Sequence, residues 1–321
     1  MKSPIVLLHT DAPDEAFEVL SQNHGGLRIH VCENYEDIPQ VLRNTRAEVV
    51  YSVRFAGTPA FPREAILNAP SVKWISVGGS GTDHLAPWDI SKTVVTNSAG
   101  TGSDMMAQYA LGAMLNFSLD FPGFRAAQKR REWLIGKVEP IDGKTVLILG
   151  LGGTGKAVAK RCKAQGLSTI GVRARPCPAV NVDEVHGTDA LPGLWGKADF
   201  IVVCVPLLDG TRGLVGAEAF AEMKKGAVLI DVSRGGVVDE SALLHALNSR
   251  KIRGAAIDVF TSEPLPPDHP LWGCENAILT PHCSSVHDGW YRESAEMFSA
   301  NLMRYRKGEE LENIVDPSRG Y

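Results

Sequence analysis

The sequence predicts an α/β protein built of two doubly wound parallel sheets, one in each of two domains. Three observations carry that expectation. Short apolar runs alternate with amphipathic stretches along nearly the whole chain, the pattern of βα units that make a parallel sheet. A glycine-rich turn sits between one of these runs and a helical pattern. At 321 residues the chain can hold two cores, at roughly 150 residues per domain.

In the first series, Ile5 to Leu8, Leu27 to Val31, Val49 to Val53, Trp74 to Val77 and Val94 to Thr96 are strand-sized apolar runs. Between them, Asp14 to Leu20 and Arg63 to Leu67 repeat their apolar residues at helical spacing. A longer helical pattern runs from Ser103 to about Leu119, with Ser103 placed as N-cap and Pro122-Gly123 as a stop. After a polar stretch, Lys129 to Lys144, six more strands are expected: Thr145 to Leu149, Ser168 to Val172, Phe200 to Val205, Ala227 to Val232, Gly254 to Val259 and Ala277 to Thr280. Six strands of this kind complete one doubly wound sheet. A last helical segment covers about Trp290 to Arg306.

Composition excludes several kinds of function. The 33 basic and 37 acidic residues are scattered without blocks and leave a net charge of −4, so neither a nucleic-acid partner nor an anionic membrane partner is expected. No apolar run approaches the ~20 residues of a membrane-spanning helix. The start of the chain has no small-residue cleavage site of the secretory kind, and a cytoplasmic location is expected. Cys32, Cys162, Cys177, Cys204, Cys274 and Cys283 include no C-x-x-C pair, so the sequence predicts no disulfide framework and no metal site.

The strongest local signal is Gly150-Leu151-Gly152-Gly153-Thr154-Gly155, a G-x-G-x-x-G turn. A strand, Thr145 to Leu149, runs into it and a helical pattern, Lys156 to Gln165, leaves it, which is the context of a dinucleotide site. Gly150 permits the tight turn, Gly152 lets the backbone approach a pyrophosphate, and Gly155 lets helix and strand pack closely. The helix N-terminus favours phosphate, and Gly153 and Thr154 join the expected cofactor-binding set. Both domains are expected to be Rossmann-like, with a cleft between them.

An NAD site places an Asp or Glu after the next strand to hold the ribose hydroxyls. Here Ser168 to Val172 is followed by Arg173-Ala174-Arg175-Pro176, with no carboxylate. Arginine pairs bidentately with a 2′-phosphate, so Arg173 and Arg175 point to NADPH as the preferred cofactor, with NAD also accepted.

Three later strands each end on a charged or titratable residue. The segments are Asp231-Val-Ser-Arg234-Gly-Gly-Val-Val-Asp239-Glu240, Asp258-Val-Phe-Thr-Ser-Glu263-Pro264-Leu265 and Leu279-Thr-Pro281-His282-Cys-Ser. Open α/β sheets bind ligands at the C-terminal ends of their strands. Arg234 can hold a carboxylate, His282 can exchange a proton near neutral pH, and Glu263 can orient the imidazole and favour its protonated form. Of the nine histidines, His9, His24, His30, His186, His245 and His269 have no partnered motif, and His84 and His287 are weaker proton-donor candidates than His282.

These motifs in this order resemble the D-isomer-specific 2-hydroxyacid dehydrogenase family, in particular its glyoxylate and hydroxypyruvate reductases. The likeness covers most of the chain and is tightest from Ile141-Asp-Gly-Lys-Thr145 through Ser285. It implies a substrate domain made of residues 1–98 plus 286–321 and a dinucleotide-binding domain of residues 99–285. It identifies Gly79-Ser80-Gly81-Thr82-Asp83-His84 with the family's glycine loop, whose amides at Ser80 and Gly81 would bind the substrate carboxylate together with Arg234 and His282. It adds Val205, Pro206 and Thr211 of the Val205-Pro206-Leu-Leu-Asp-Gly-Thr211 segment, with Val232 and Ser233, to the cofactor-binding set, and gives Asp258 the nicotinamide amide. The implied reaction is reduction of a small 2-keto acid to the (R)-2-hydroxy acid by hydride transfer from NADPH, with His282 as proton donor. The family also implies a homodimer formed through the long helix that carries Met105, Met106, Tyr109 and Leu111. Two other readings stand beside this one: a phosphoglycerate dehydrogenase-like enzyme, and a nucleotide-sensing binding protein like the corepressors of the same fold. Two departures are visible, Gln108 where many members have Glu and Cys283 where an aliphatic residue is commoner.

Overall fold

The computed structural model describes residues 3–53, 61–136 and 138–317. The chain forms two compact units, one of Met1–Thr101 with His287–Tyr321 and one of Gly102–Val286. In the first unit, β1 (Ile5–Thr10), β2 (Arg28–Val31), β3 (Val49–Val53), β4 (Trp74–Val77) and β5 (Val94–Asn97) make a wholly parallel sheet in the order β2-β1-β3-β4-β5. The order reverses beside β1, as in doubly wound folds. Helices α1 (Pro13–Asn23), α2 (Ile38–Thr45) and α3 (Arg63–Leu67) connect the strands.

The C-terminal helix, Trp290–Lys307, returns to this unit because one stripe of it is apolar. Trp290, Ala295, Phe298 and Leu302 share a buried cluster with Ala16 and Val19 of α1 and with Val6 and Tyr51 of the sheet. Phe298 stacks on Tyr51 with ring centroids 4.6 Å apart, and the Tyr51 hydroxyl donates to Ser294 at 2.9 Å.

A short strand, β6 (Ala99–Gly102), belongs to neither sheet. It leads into α4 (Ser103–Ser118) and α5 (Phe121–Arg130) of the second unit. There β7 (Thr145–Leu149), β8 (Ser168–Val172), β9 (Glu184–His186), β10 (Phe200–Val203), β11 (Val228–Asp231), β12 (Gly254–Ile257) and β13 (Ala277–Leu279) form a parallel sheet, ordered β13-β12-β11-β10-β7-β8-β9. The helices are α6 (Gly153–Ala164), α7 (Ala217–Glu222) and α8 (Glu240–Asn248). Successive residues of a strand face opposite sides, so β7 feeds two cores. Val146 and Ile148 pack with Ala110, Met114 and Phe117 of α4 and with Val158 of α6. Leu147 and Leu149 pack with Phe220 of α7 and with Leu243 and Leu247 of α8.

The second sheet has seven strands where six are expected. The addition, β9, is a three-residue edge strand with no buried residue, so it carries no apolar signal. Ser103 does not cap α4: it is the first helical residue, and Gly102, at φ +75°, is the cap. Pro122-Gly123 opens a helix rather than closing one. The Pro falls in the first turn of α5, where its missing N–H leaves no bond unmade, and the Asp120 side chain caps that turn by accepting from the Gly123 amide. Met106, Tyr109 and Leu111 pack against the core of their own unit. Among the described residues no helix is long and apolar enough to cross a membrane.

Candidate active site

Every strand of the second sheet runs the same way, so all its C-terminal ends lie along one edge. The glycine turn leaves β7 at that edge. Gly150 has φ +98°, and a Cβ there would stand 2.8 Å from the Cys204 carbonyl oxygen. A Cβ on Gly155 would meet the Gly150 carbonyl oxygen at 1.8 Å, so helix and turn close only on glycine. Gly152 faces open space, and α6 begins at Gly153, so its first amides have no partner within the helix. A pyrophosphate fits that backbone cradle. Beneath it the Cys204 thiol donates to the Leu149 and Gly150 carbonyls, each at 3.2 Å. Burial pushes this thiol up to about 12, so it stays protonated. The Thr154 hydroxyl donates to the Met106 sulfur at 3.4 Å.

Arg173, half-buried, and Arg175, exposed, follow β8, and the Arg173 guanidinium lies 3.0 Å from the Cys177 sulfur. After β10, the Thr211 hydroxyl donates to the Pro206 carbonyl at 2.6 Å and accepts from the Leu208 amide at 2.8 Å, closing the loop that begins at Val205. At the end of β11, Val232 and Ser233 are buried, and Asp231 accepts from both the amide and the hydroxyl of Ser233. Arg234 donates to the Ser233 carbonyl at 2.7 Å. Next to it, a Cβ on Gly235 would lie 1.9 Å from the Phe260 carbonyl oxygen. This glycine therefore lets the Arg234 turn close against the segment that leads to Glu263.

Glu263 binds two donors, one per oxygen. Its Oε1 accepts from the Phe260 amide at 2.9 Å, and its Oε2 lies 2.9 Å from Nδ1 of His282. Burial pushes the Glu263 carboxyl up, but the bonds from His282 and Phe260 and the charges of His282 and Arg234 outweigh burial and hold it below the ordinary range. The bond to a carboxylate places a proton on Nδ1, which leaves Nε2 to exchange a proton with a ligand. His282 itself sits in the left-handed region, φ +51°, with its amide donating to the Asp258 carbonyl at 2.9 Å.

Asp258 is wholly buried and holds this loop. Its Oδ1 accepts from the Cys283 amide at 2.9 Å and from the Thr280 hydroxyl at 2.5 Å, and its Oδ2 accepts from the Ser284 amide at 2.9 Å. Arg234, Glu263, His282 and Asp258 thus gather at adjoining strand ends of one unit.

Ser80 and Gly81 lie in the other unit, after β4. The Asn97 side chain donates to the Ser80 carbonyl at 2.7 Å, and the Ser98 amide to the Gly79 carbonyl at 3.0 Å. The amides of Ser80 and Gly81 donate to no described residue, as an anion-binding turn requires.

Sequence reading missed Asp231, Cys204, Gly235, Thr280 and Tyr109. Thr280 and Gly235 adjoin residues that it singled out, but only the folded chain shows what they touch. Among the described residues no group of three or more His, Cys, Asp or Glu side chains could hold a metal ion.

The second unit therefore has the architecture and the phosphate turn of a dinucleotide-binding domain. The family model described as "D-isomer specific 2-hydroxyacid dehydrogenase, NAD binding domain" matches residues 111–284. A glyoxylate reductase from Thermofilum pendens is 34% identical over 271 residues, which cover 81% of this chain and 79% of that protein. A D-3-phosphoglycerate dehydrogenase from Methanocaldococcus jannaschii is 32% identical over 319 residues, 97% of this chain but only 59% of that protein. The crystal structure of a D-isomer specific 2-hydroxyacid dehydrogenase from Xanthobacter autotrophicus Py2, in complex with NADPH and MES, is 31% identical with full coverage of both chains and a TM-score of 0.87. The chain belongs to the D-isomer specific 2-hydroxyacid dehydrogenases, an oxidoreductase family, as its motif order implies.

Asp231 yields a prediction about stability. Burial pushes its carboxyl up to about 7, the Ser233 bonds hold it back, and the neighbouring Asp258 charge adds to the rise. A carboxyl raised in the folded state favours folding while it is protonated, and that contribution is lost as pH rises from about 4 through about 7. Asp231→Asn, which cannot ionise, should gain stability over the wild type on the order of 1–4 kcal/mol between pH 5 and pH 8. Denaturant unfolding at the two pH values measures this, and a pH-independent difference would contradict it.

Proposed function

We propose that the protein reduces a small 2-keto acid, glyoxylate or hydroxypyruvate, to the (R)-2-hydroxy acid with NADPH. The observation that carries this reading is the contact of His282 Nδ1 with Glu263 at 2.9 Å, beside Arg234 and on the sheet edge that bears the glycine turn. A dinucleotide held by its pyrophosphate at Gly150, Gly152 and the first amides of α6 would supply hydride for the keto carbon. Arg234 holds the substrate carboxylate and polarises the carbonyl. Protonated His282 gives its Nε2 proton to the carbonyl oxygen, while Glu263 orients the ring and stabilises its charge. The keto acid gains one hydride and one proton, and the imidazole leaves neutral. The open amides of Ser80 and Gly81 suit a carboxylate.

A phosphoglycerate dehydrogenase activity is the second reading, favoured by the identity to such an enzyme across 97% of the chain. The assembly we propose is a homodimer. Trp133 and Ile135, 95% and 89% exposed, with Leu134 and Val138 beside them, form an apolar stretch that a second copy would cover.

Turnover is tested with glyoxylate and hydroxypyruvate, each with NADPH and NADH, and with 3-phosphoglycerate in the oxidative direction with NADP+ and NAD+. Reduction of the first two with NADPH supports the reading. Turnover of phosphoglycerate alone favours the second reading, and cofactor binding without any turnover points to a sensor. His282→Ala should lower keto-acid reduction at least about 100-fold while NADPH binding stays within a few-fold, because only proton transfer is lost. Near-normal turnover would remove His282 from the chemistry.

Arg173 and Arg175 meet a 2′-phosphate with charge-assisted bonds, so a preference for NADPH over NADH of about 10- to 100-fold is expected at low salt. Replacing both by Ala should erase most of it through the KM for NADPH and leave NADH use little changed. Equal use of the two cofactors by the wild type would contradict the cofactor assignment and leave the dehydrogenase assignment standing.

A further inference from the structure

We infer that Tyr109 on α4 is a positioning residue for the loop that carries His282, acting through the hydroxyl of Thr280 and the carboxylate of Asp258. This rests on the reading of His282 as proton donor and names a residue that reading does not use. The Tyr109 hydroxyl lies 2.9 Å from Thr280 Oγ1, across 171 residues of sequence. Thr280 Oγ1 in turn lies 2.5 Å from Asp258 Oδ1.

The direction of the bonds follows from proton count. A carboxylate only accepts, so the single Thr280 proton goes to Asp258, and the proton between Tyr109 and Thr280 comes from the phenol. Burial pushes that phenol up to about 12, so it keeps its proton throughout the neutral range. The chain of donation runs from Tyr109 to Thr280 to Asp258, and ends where Asp258 accepts from the Cys283 and Ser284 amides.

Two features make this end of the chain matter. His282 occupies left-handed backbone, φ +51°, which is strained for a residue with a Cβ and persists only where its surroundings fix it. The fixing groups are those of Asp258, whose carbonyl accepts from the His282 amide and whose carboxylate accepts from the next two amides. At the other end, Tyr109 packs, partly buried, against the core in which Ala107, Ala110 and Met114 of the same helix are buried. A rigid helix thus sets the rotamer of Thr280, and Thr280 completes the acceptor site that holds the loop.

The experiment compares wild type, Tyr109→Phe, Thr280→Val, Thr280→Ser and the Tyr109→Phe/Thr280→Val double variant, using NADPH and glyoxylate. Amide hydrogen exchange of residues 282–284 is followed in the cofactor-free proteins. Tyr109→Phe should lower kcat about five- to ten-fold with the KM for NADPH within about two-fold of wild type, the signature of lost positioning. Thr280→Ser, which keeps the hydroxyl, should restore most of what Thr280→Val loses. The double variant should be no slower than Thr280→Val alone, since both break one chain. Exchange at Cys283 and Ser284 should quicken in Tyr109→Phe. Wild-type kcat and wild-type exchange in Tyr109→Phe would overturn the inference, as would additive losses in the double variant. If His282→Ala retains turnover, the functional reading fails, while the exchange of the Cys283 and Ser284 amides still decides whether Tyr109 holds the loop.

Discussion

A single hydrogen bond between an imidazole and a carboxylate, residues 19 apart in the chain and 2.9 Å apart in space, is what the rest of this protein is arranged to hold. Neither partner could be placed so by its own loop. Each is fixed to a different strand of one parallel sheet, and the register of β12 against β13 brings the two strand ends together. Close backbone approaches complete the setting. Gly235 brings the Arg234 turn against the Phe260 segment, and the Phe260 amide occupies the Glu263 oxygen that His282 does not use.

The same edge carries two buried carboxylates whose work is structural. Asp231 ties the turn before Arg234, and Asp258 ties the loop around His282. Burying charge is unfavourable unless hydrogen bonds replace the lost water. Asp231 receives two bonds, both from Ser233, on one oxygen, and burial pushes its carboxyl up to about 7. Asp258 receives three bonds spread over both oxygens, and one of those donors is backed by Tyr109. The order of the loop thus rests on α4 as well as on the sheet.

Fold and site differed in how far the sequence exposed them. The central strand Thr145–Leu149 is buried over nearly its whole length and reads as an apolar run, so its bounds are legible from residue type. The glycine turn is legible from its spacing between a strand and a helix, and at Gly150 and Gly155 a Cβ would meet backbone. Arg234, Glu263 and His282 stand out because an Arg, a Glu and a His follow three strands of the series that carries the glycine turn. What stayed hidden depends on contacts across long separations or on weak patterns. The edge strand Glu184–His186 has no apolar face, and Pro122 reads as a stop until Asp120 is seen capping the helix that it opens. Nothing near Tyr109 in the sequence points to Thr280.

The central claim is that the Glu263 carboxylate supports His282 as proton donor, and the pH dependence of kcat/KM for keto-acid reduction tests it most directly. Reduction requires the protonated ring, so rate falls on the alkaline side as the ring loses its proton. Replacing the carboxylate by a neutral amide in Glu263→Gln removes the charge that favours the imidazolium while leaving an acceptor in place. The account predicts that the alkaline limb moves to lower pH in the variant. A limb that stays where it is in the wild type, or moves to higher pH, would contradict it.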